Sequence, residues 1–158
     1  QRPSGRALPE PEVKYRKGIL SLLYLFFLMR KTENPCILFV SSRKQCIRLY
    51  RLLSPFFSCT YVYSDLRQRE ENIRDFRNGK YRFIVSTTVL ERGITIRGVS
   101  VIILMDSEVF DQSSLIQMLG RVDRGMEESK GKAFILAERK TPALKQTLKY
   151  LKEVNRQT

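Results

Sequence analysis

Apolar and polar positions along this chain follow two periods. Residues 14–31 place Ile19, Leu22, Leu23 and Phe26 at helical spacing, while Leu20, Leu25, Phe27 and Leu28 fill the other faces. That pattern predicts a helix apolar nearly all round, buried in this domain or in a context that lies outside it. Short apolar runs at 36–40, 60–63, 83–86, 99–105 and 132–137 predict buried strands, the first announced by Asn34-Pro35. Between them lie helix starts. Ser42 and Gln45 have capping-box spacing. Ser64-Asp65 predicts the cap of a helix that carries Leu66, Ile73 and Phe76 and stops at Asn78-Gly79. Thr141-Pro142 predicts the cap and first position of a last helix, with Leu144, Leu148, Leu151 and Val154 as its inner stripe. Strands alternating with helices predict an α/β fold, a parallel sheet with helices on both faces. Residues 1–12 hold Pro3, Pro9 and Pro11, a density that favours an extended connector. The expected division is a linker over 1–13 and one domain over 14–158. With no initiator Met, the chain is expected to be part of a longer one.

Length agrees with that division, since 158 residues suffice for one domain with a real core. Charge narrows the partner. Lys and Arg number 29 against 16 Asp and Glu, a net +13, which points to a polyanion: nucleic acid first, an acidic membrane surface second. Solubility alone is the competing explanation. Cys36, Cys46 and Cys59 are odd in number and form no C-x-x-C, so neither a disulfide framework nor a zinc cluster is expected. The absence of histidine removes Ser-His and Cys-His catalysis. The apolar run 19–29 is too short to span a bilayer.

Candidate chemistry gathers in residues 86–125. Thr87 and Thr88 follow an apolar run, and Thr88 with Glu91 repeats the capping-box spacing, so hydroxyls and free amides can meet a backbone phosphate there. Gly93 allows a close main-chain approach to a ligand. Arg121 and Arg124 are three apart, which on a helix puts both on one face, with Gln117 one turn before Arg121. Guanidinium groups are the preferred planar partners of phosphate oxygens; ion pairs with Asp123 or Glu127 are the alternative. Ser41, Ser42 and Arg43 form either a plain helix cap or a phosphate site at a helix N-terminus. Two other patterns fail. Gly125, Gly131, Lys132 and Ala133 approximate a P-loop, but residues 126–130 make the gap one too long and Ala133 has no hydroxyl for magnesium. Asp106 ends an apolar strand as a magnesium carboxylate would, yet without a P-loop it is more simply a strand-end residue. The chain is therefore not a complete NTPase, and no metal site is expected in it.

The run Thr-Thr-x-Leu-Glu-Arg-Gly-x-Thr at 87–95, with Gln-x-x-Gly-Arg-x-x-Arg at 117–124, resembles motifs V and VI of superfamily 2 helicases. These motifs lie in the second RecA-like half of the motor. The form of the first run is similar to the bacterial competence family ComFA and to the primosomal restart helicase. The resemblance implies a RecA-like domain that contacts nucleic acid through Ser41, Ser42, Arg43, Ser64, Thr87 and Thr88. It implies that Glu91, Gly93 and Thr95 face ATP, and that Arg121 and Arg124, with Gln117, serve catalysis by reaching the γ-phosphate. ATP and Mg2+ would be held mainly by an N-terminal RecA-like half. The implied activity is ATP-dependent translocation on single-stranded DNA for uptake in competence, in the cytoplasm and at the inner face of the membrane, with other competence proteins as partners. Half of a replication-restart or RNA helicase, or a non-catalytic basic nucleic-acid-binding module, are the alternatives. Asp123 departs from the glycine common between the two arginines.

Overall fold

Six parallel strands form one sheet in the computed structural model, which describes residues 9–87, 98–106, 110–122 and 131–156. They are β1 (Glu12–Tyr15), β2 (Cys36–Phe39), β3 (Cys59–Val62), β4 (Phe83–Ser86), β5 (Ser100–Met105) and β6 (Ala133–Ala137), in the order β1-β6-β5-β2-β4-β3. The helices among the described residues are α1 (Gly18–Lys31), α2 (Arg43–Leu53), α3 (Arg69–Arg77), α4 (Gln112–Leu119) and α5 (Pro142–Arg156). The period of two in each strand sorts the core into two layers. Ile37, Phe39, Ile84, Val101 and Ile103 pack with residues of α3, α4 and α5. Leu38, Val40, Val85, Ile102 and Leu136 pack with residues of α1 and α2. Both faces are covered, which is why β2, β4 and β6 are buried along their whole length and read as continuous apolar runs.

The α/β parallel sheet expected from sequence is what forms, and the five expected strands are present within a residue or two of their expected ends. Three local expectations differ. The first helix begins at Gly18, not at residue 14, because Glu12–Tyr15 pairs in parallel with β6, from Glu12 opposite Phe134 to Tyr15 opposite Ala137. This four-residue run alternates and lies at an edge, where Glu12 and Lys14 stay exposed and Val13 turns inward. Gly18, at φ 57°, makes the turn from strand to helix. Second, α1 is not buried all round: Leu25, Leu28 and Met29 face the sheet, whereas Ile19, Leu20, Leu23 and Phe27 face solvent. Third, Ser64-Asp65 does not cap α3. Residues 64–68 form turns, and the helix starts after Gln68 with no side-chain cap. Asp65 is engaged elsewhere, as described below. The end of α3 is as expected, with Asn78 as C-cap and Gly79 at φ 87°.

Candidate nucleic-acid and nucleotide interface

Parallel strands deliver their C-terminal ends to one rim. Ser41 and Ser42 follow β2, Thr87 follows β4 and Ser64 follows β3, and these three strands are neighbours in the sheet. The ladder runs past the strands into the rim: the Val40 amide donates to the Ser86 carbonyl at 2.9 Å, and the Thr87 amide donates to the Val62 carbonyl at 3.3 Å. Residues that the sequence separates by 46 positions, from Ser41 to Thr87, thereby stand side by side. Two strand spacings, roughly 9–10 Å, separate the β2 exit from the β3 exit. That is a row of hydroxyls along one edge.

At the β2 exit, Ser42 is the N-cap of α2, and its Oγ accepts from the Gln45 amide at 3.1 Å. The cap uses a lone pair and leaves the hydroxyl proton free to donate, so cap and phosphate contact are compatible. The amides of the first turn add donors at the positive end of the helix. On its exposed side α2 carries Arg43, Lys44, Arg48 and Arg51, a basic ridge beside the rim. Carboxylates engage both residues that flank Ser42. Ser41 Oγ donates to Asp106 Oδ1 at 3.0 Å, bridging the ends of β2 and β5. Arg43 Nη1 lies 3.0 Å from Asp65 Oδ2, and its guanidinium sits 4.7 Å from the centroid of the Tyr63 ring. Tyr63 and Asp65 supply a stacking surface and a carboxylate that hold Arg43 over the rim.

Sequence reading missed these partnerships. The sequence pattern makes Asp65 a helix cap and Asp106 a bare strand end. Their only signal was position, since each lies within three residues of a strand terminus. Thr88, Glu91, Gly93, Thr95, Asp123 and Arg124 lie outside the described residues.

Gln117 is exposed near the end of α4, beside an open depression of about 660 Å³ lined by Asp111, Ile116, Gln117, Ala143 and Tyr150. Asp111 caps this helix, its Oδ1 accepting from the Ser114 amide at 2.8 Å. That backbone hydrogen bond is the main reason its carboxyl lies below its ordinary pKa. The helix ends at Leu119, and Gly120 to Val122 continue it in tighter turns, the Arg121 amide donating to the Met118 carbonyl at 3.1 Å and the Val122 amide to the Leu119 carbonyl at 3.2 Å. From Gln117 to Arg121 the backbone thus passes from α-helix into a tighter turn.

The P-loop-like run is ruled out by placement. Lys132 precedes β6, and its amide donates to Ser100 Oγ at 2.9 Å at the start of β5, on the edge opposite the rim. A P-loop lies after its strand and opens a helix. No three His, Cys, Asp or Glu side chains among the described residues are grouped so as to hold a metal ion. All three cysteines are buried, and burial raises their thiol pKa values, to about 11 for Cys46 and about 12 for Cys59. The thiols are packing groups.

Residues 17–126 match the family described as Helicase conserved C-terminal domain. The competence protein ComFA of Streptococcus pneumoniae is 32% identical over 132 residues, covering 81% of this chain and 31% of that protein. ComFA of Bacillus subtilis is 33% identical over 95 residues, 60% of this chain and 20% of that protein. The chain thus spans a third or less of the length of these relatives. Among solved structures, Saccharomyces cerevisiae Dbp5 bound to RNA and ADP BeF3 superposes with a TM-score of 0.70 at 24% identity, over 94% of this chain and 40% of that one. At that identity the likeness is one of fold.

Proposed function

From the premise that this chain belongs to the helicase conserved C-terminal domain family, we propose that it is the second half of an ATP-driven motor on single-stranded DNA that serves DNA uptake in competence. The observation that carries the nucleic-acid part is the rim itself, where Ser41, Ser42, Arg43, Ser64 and Thr87 leave three adjacent strands on one edge. Hydroxyls, helix-start amides and one stacked arginine suit a sugar-phosphate backbone and carry no base code. Identity with two competence proteins supports the assignment to competence. In this reading Thr88 joins the rim, and Glu91, Gly93 and Thr95 face ATP. Arg121 and Arg124 present guanidinium groups to the γ-phosphate, with Gln117 beside them. Such arginines contribute about 10³–10⁵-fold to hydrolysis. The triphosphate and magnesium are held chiefly by an N-terminal RecA-like half, joined through the segment before β1. The motor works in the cytoplasm at the inner face of the membrane, alongside other competence proteins.

The test compares ATP turnover of the full-length protein with and without single-stranded DNA. Stimulation by DNA, and loss of kcat by orders of magnitude in Arg124→Ala with DNA affinity retained, is the expected result. The 158-residue chain alone should hydrolyse no ATP. Turnover by that chain would sink the half-site reading, and loss of DNA affinity in place of turnover in Arg124→Ala would mean the arginines serve another ligand. A second reading, half of an RNA helicase, draws on Dbp5, whose structure holds RNA; stimulation by RNA and not by DNA would select it.

A further inference from the structure

On the outer face of α1, whose first turn shares a depression with Gln45 and Asp106 beside the rim, lies an apolar stripe that the motor reading does not use. Ile19, Leu20, Leu23 and Phe27 are 65%, 59%, 59% and 54% exposed. At 100° per residue they occupy an arc of about 100° on the face opposite Leu25, Leu28 and Met29, which meet the sheet. Arg16, Leu20, Leu23, Phe27 and Arg30 follow one another at intervals of four and three, the spacing of a seam between two helices. A contiguous apolar stripe of this kind marks an interaction surface.

Charge says what covers it. Helix α1 contains no acidic residue, and its ends carry Arg16, Lys17, Arg30 and Lys31, all exposed. The guanidinium of Arg16 lies 5.6 Å from the Tyr24 ring centroid, and Lys31 Nζ lies 5.6 Å from that of Phe27, so a cation is held at each end of the stripe. A second copy of the chain fits poorly. Antiparallel pairing sets Arg16 and Lys17 against Arg30 and Lys31, and parallel pairing sets each cation against itself. We infer that the stripe docks an amphipathic helix of a partner protein, with apolar residues at heptad spacing and carboxylates flanking them. Leu20, Leu23 and Phe27 form the seam, and the basic ends select the acidic flanks.

The probe is a fluorescent synthetic helix of about three heptads, with leucine along the seam and glutamate on both flanks. A twin peptide has lysine in place of glutamate. Anisotropy should show the glutamate peptide binding at least about tenfold more tightly than its twin, and more weakly as salt rises. Leu20→Ser with Leu23→Ser should abolish that binding and leave the circular dichroism spectrum unchanged, since both positions face solvent. Arg16→Glu, Arg30→Glu and Lys31→Glu together should reverse the preference toward the lysine peptide, an outcome that general stickiness cannot produce. Equal binding of the two peptides, no binding, or binding untouched by the serine changes would overturn the inference. So would self-association in sedimentation that the serine changes abolish, which assigns the stripe to a second copy. Binding to phosphatidylglycerol vesicles through the same residues, without peptide selectivity, would assign it to a lipid surface.

Discussion

Arg43 and Asp65 meet at 3.0 Å across the rim, one following β2 and the other β3, with β4 lying between those strands. Their side chains are 60% and 66% exposed, so the pair contributes about 0–1 kcal/mol to stability. Its consequence is positional. The carboxylate and the Tyr63 ring hold a guanidinium over the rim, and on the proposed reading the carboxylate competes with an incoming phosphate for it.

Removing the competitor should therefore strengthen nucleic-acid binding. Asp65→Asn should tighten single-stranded DNA affinity at low salt, while Arg43→Ala should weaken it. If Arg43 neutralises one phosphate, its loss should flatten the slope of log K against log salt by about 0.7. Titrations across a salt series measure both. Weaker binding in Asp65→Asn would mean that positioning by the carboxylate outweighs its competition.

The cap formed by Ser42 and its proposed phosphate contact are separable. Ser42→Ala removes the cap of α2 and should cost about 1 kcal/mol, while Ser42→Gly should cost only a few tenths. Ser42→Asp keeps a capping oxygen and suits the helix N-terminus, yet it sets a negative charge where a phosphate would sit. Denaturant melts should thus find Ser42→Asp as stable as wild type, and DNA titration should find it the weakest binder of the three.

Asp111 links α4 to pH. Its folded pKa lies below the ordinary value because the carboxylate accepts the Ser114 amide. The stabilisation is present above the unfolded pKa and is lost as pH falls through the folded value. Asp111→Asn retains a cap without the charge. Its Tm should be lower than wild type at neutral pH, and the gap should close on acidification below about pH 4. A gap independent of pH would remove the linkage.

The buried thiols should be silent in the native protein. A thiol titrating near 11, as at Cys46, is only about one part in a thousand thiolate at pH 8, and Cys59 less. Burial raises Cys36 too. Reaction with a thiol reagent at pH 8 should be slow in native protein and fast for all three cysteines in guanidinium chloride.

By itself the sequence determined what is local. Periods of two and of about 3.6 marked strands β2 to β6 and helices between them, because alternation and helical stripes are properties of neighbouring residues. Caps at Ser42 and Thr141 were legible for the same reason, and both form, the Leu144 amide donating to Thr141 Oγ1 at 3.1 Å. Short motifs at 87–95 and 117–124 identified the family. What the tertiary structure decided is non-local. Strand order β2-β4-β3 is not written in any window, so the meeting of Ser41, Ser64 and Thr87 on one rim had to await the sheet. Burial depends on what lies opposite. Apolar residues on every face of α1 read as a helix buried in this domain or in a context outside it, and only the packed sheet showed that one face is covered while the other is exposed among the described residues. Glu12–Tyr15 is too short and too polar to declare itself a strand, and it becomes one because β6 offers an unpaired edge. Asp65 and Asp106 acquire partners 22 and 65 residues away. Such contacts arise from the three-dimensional path of the chain, to which local periodicity is blind.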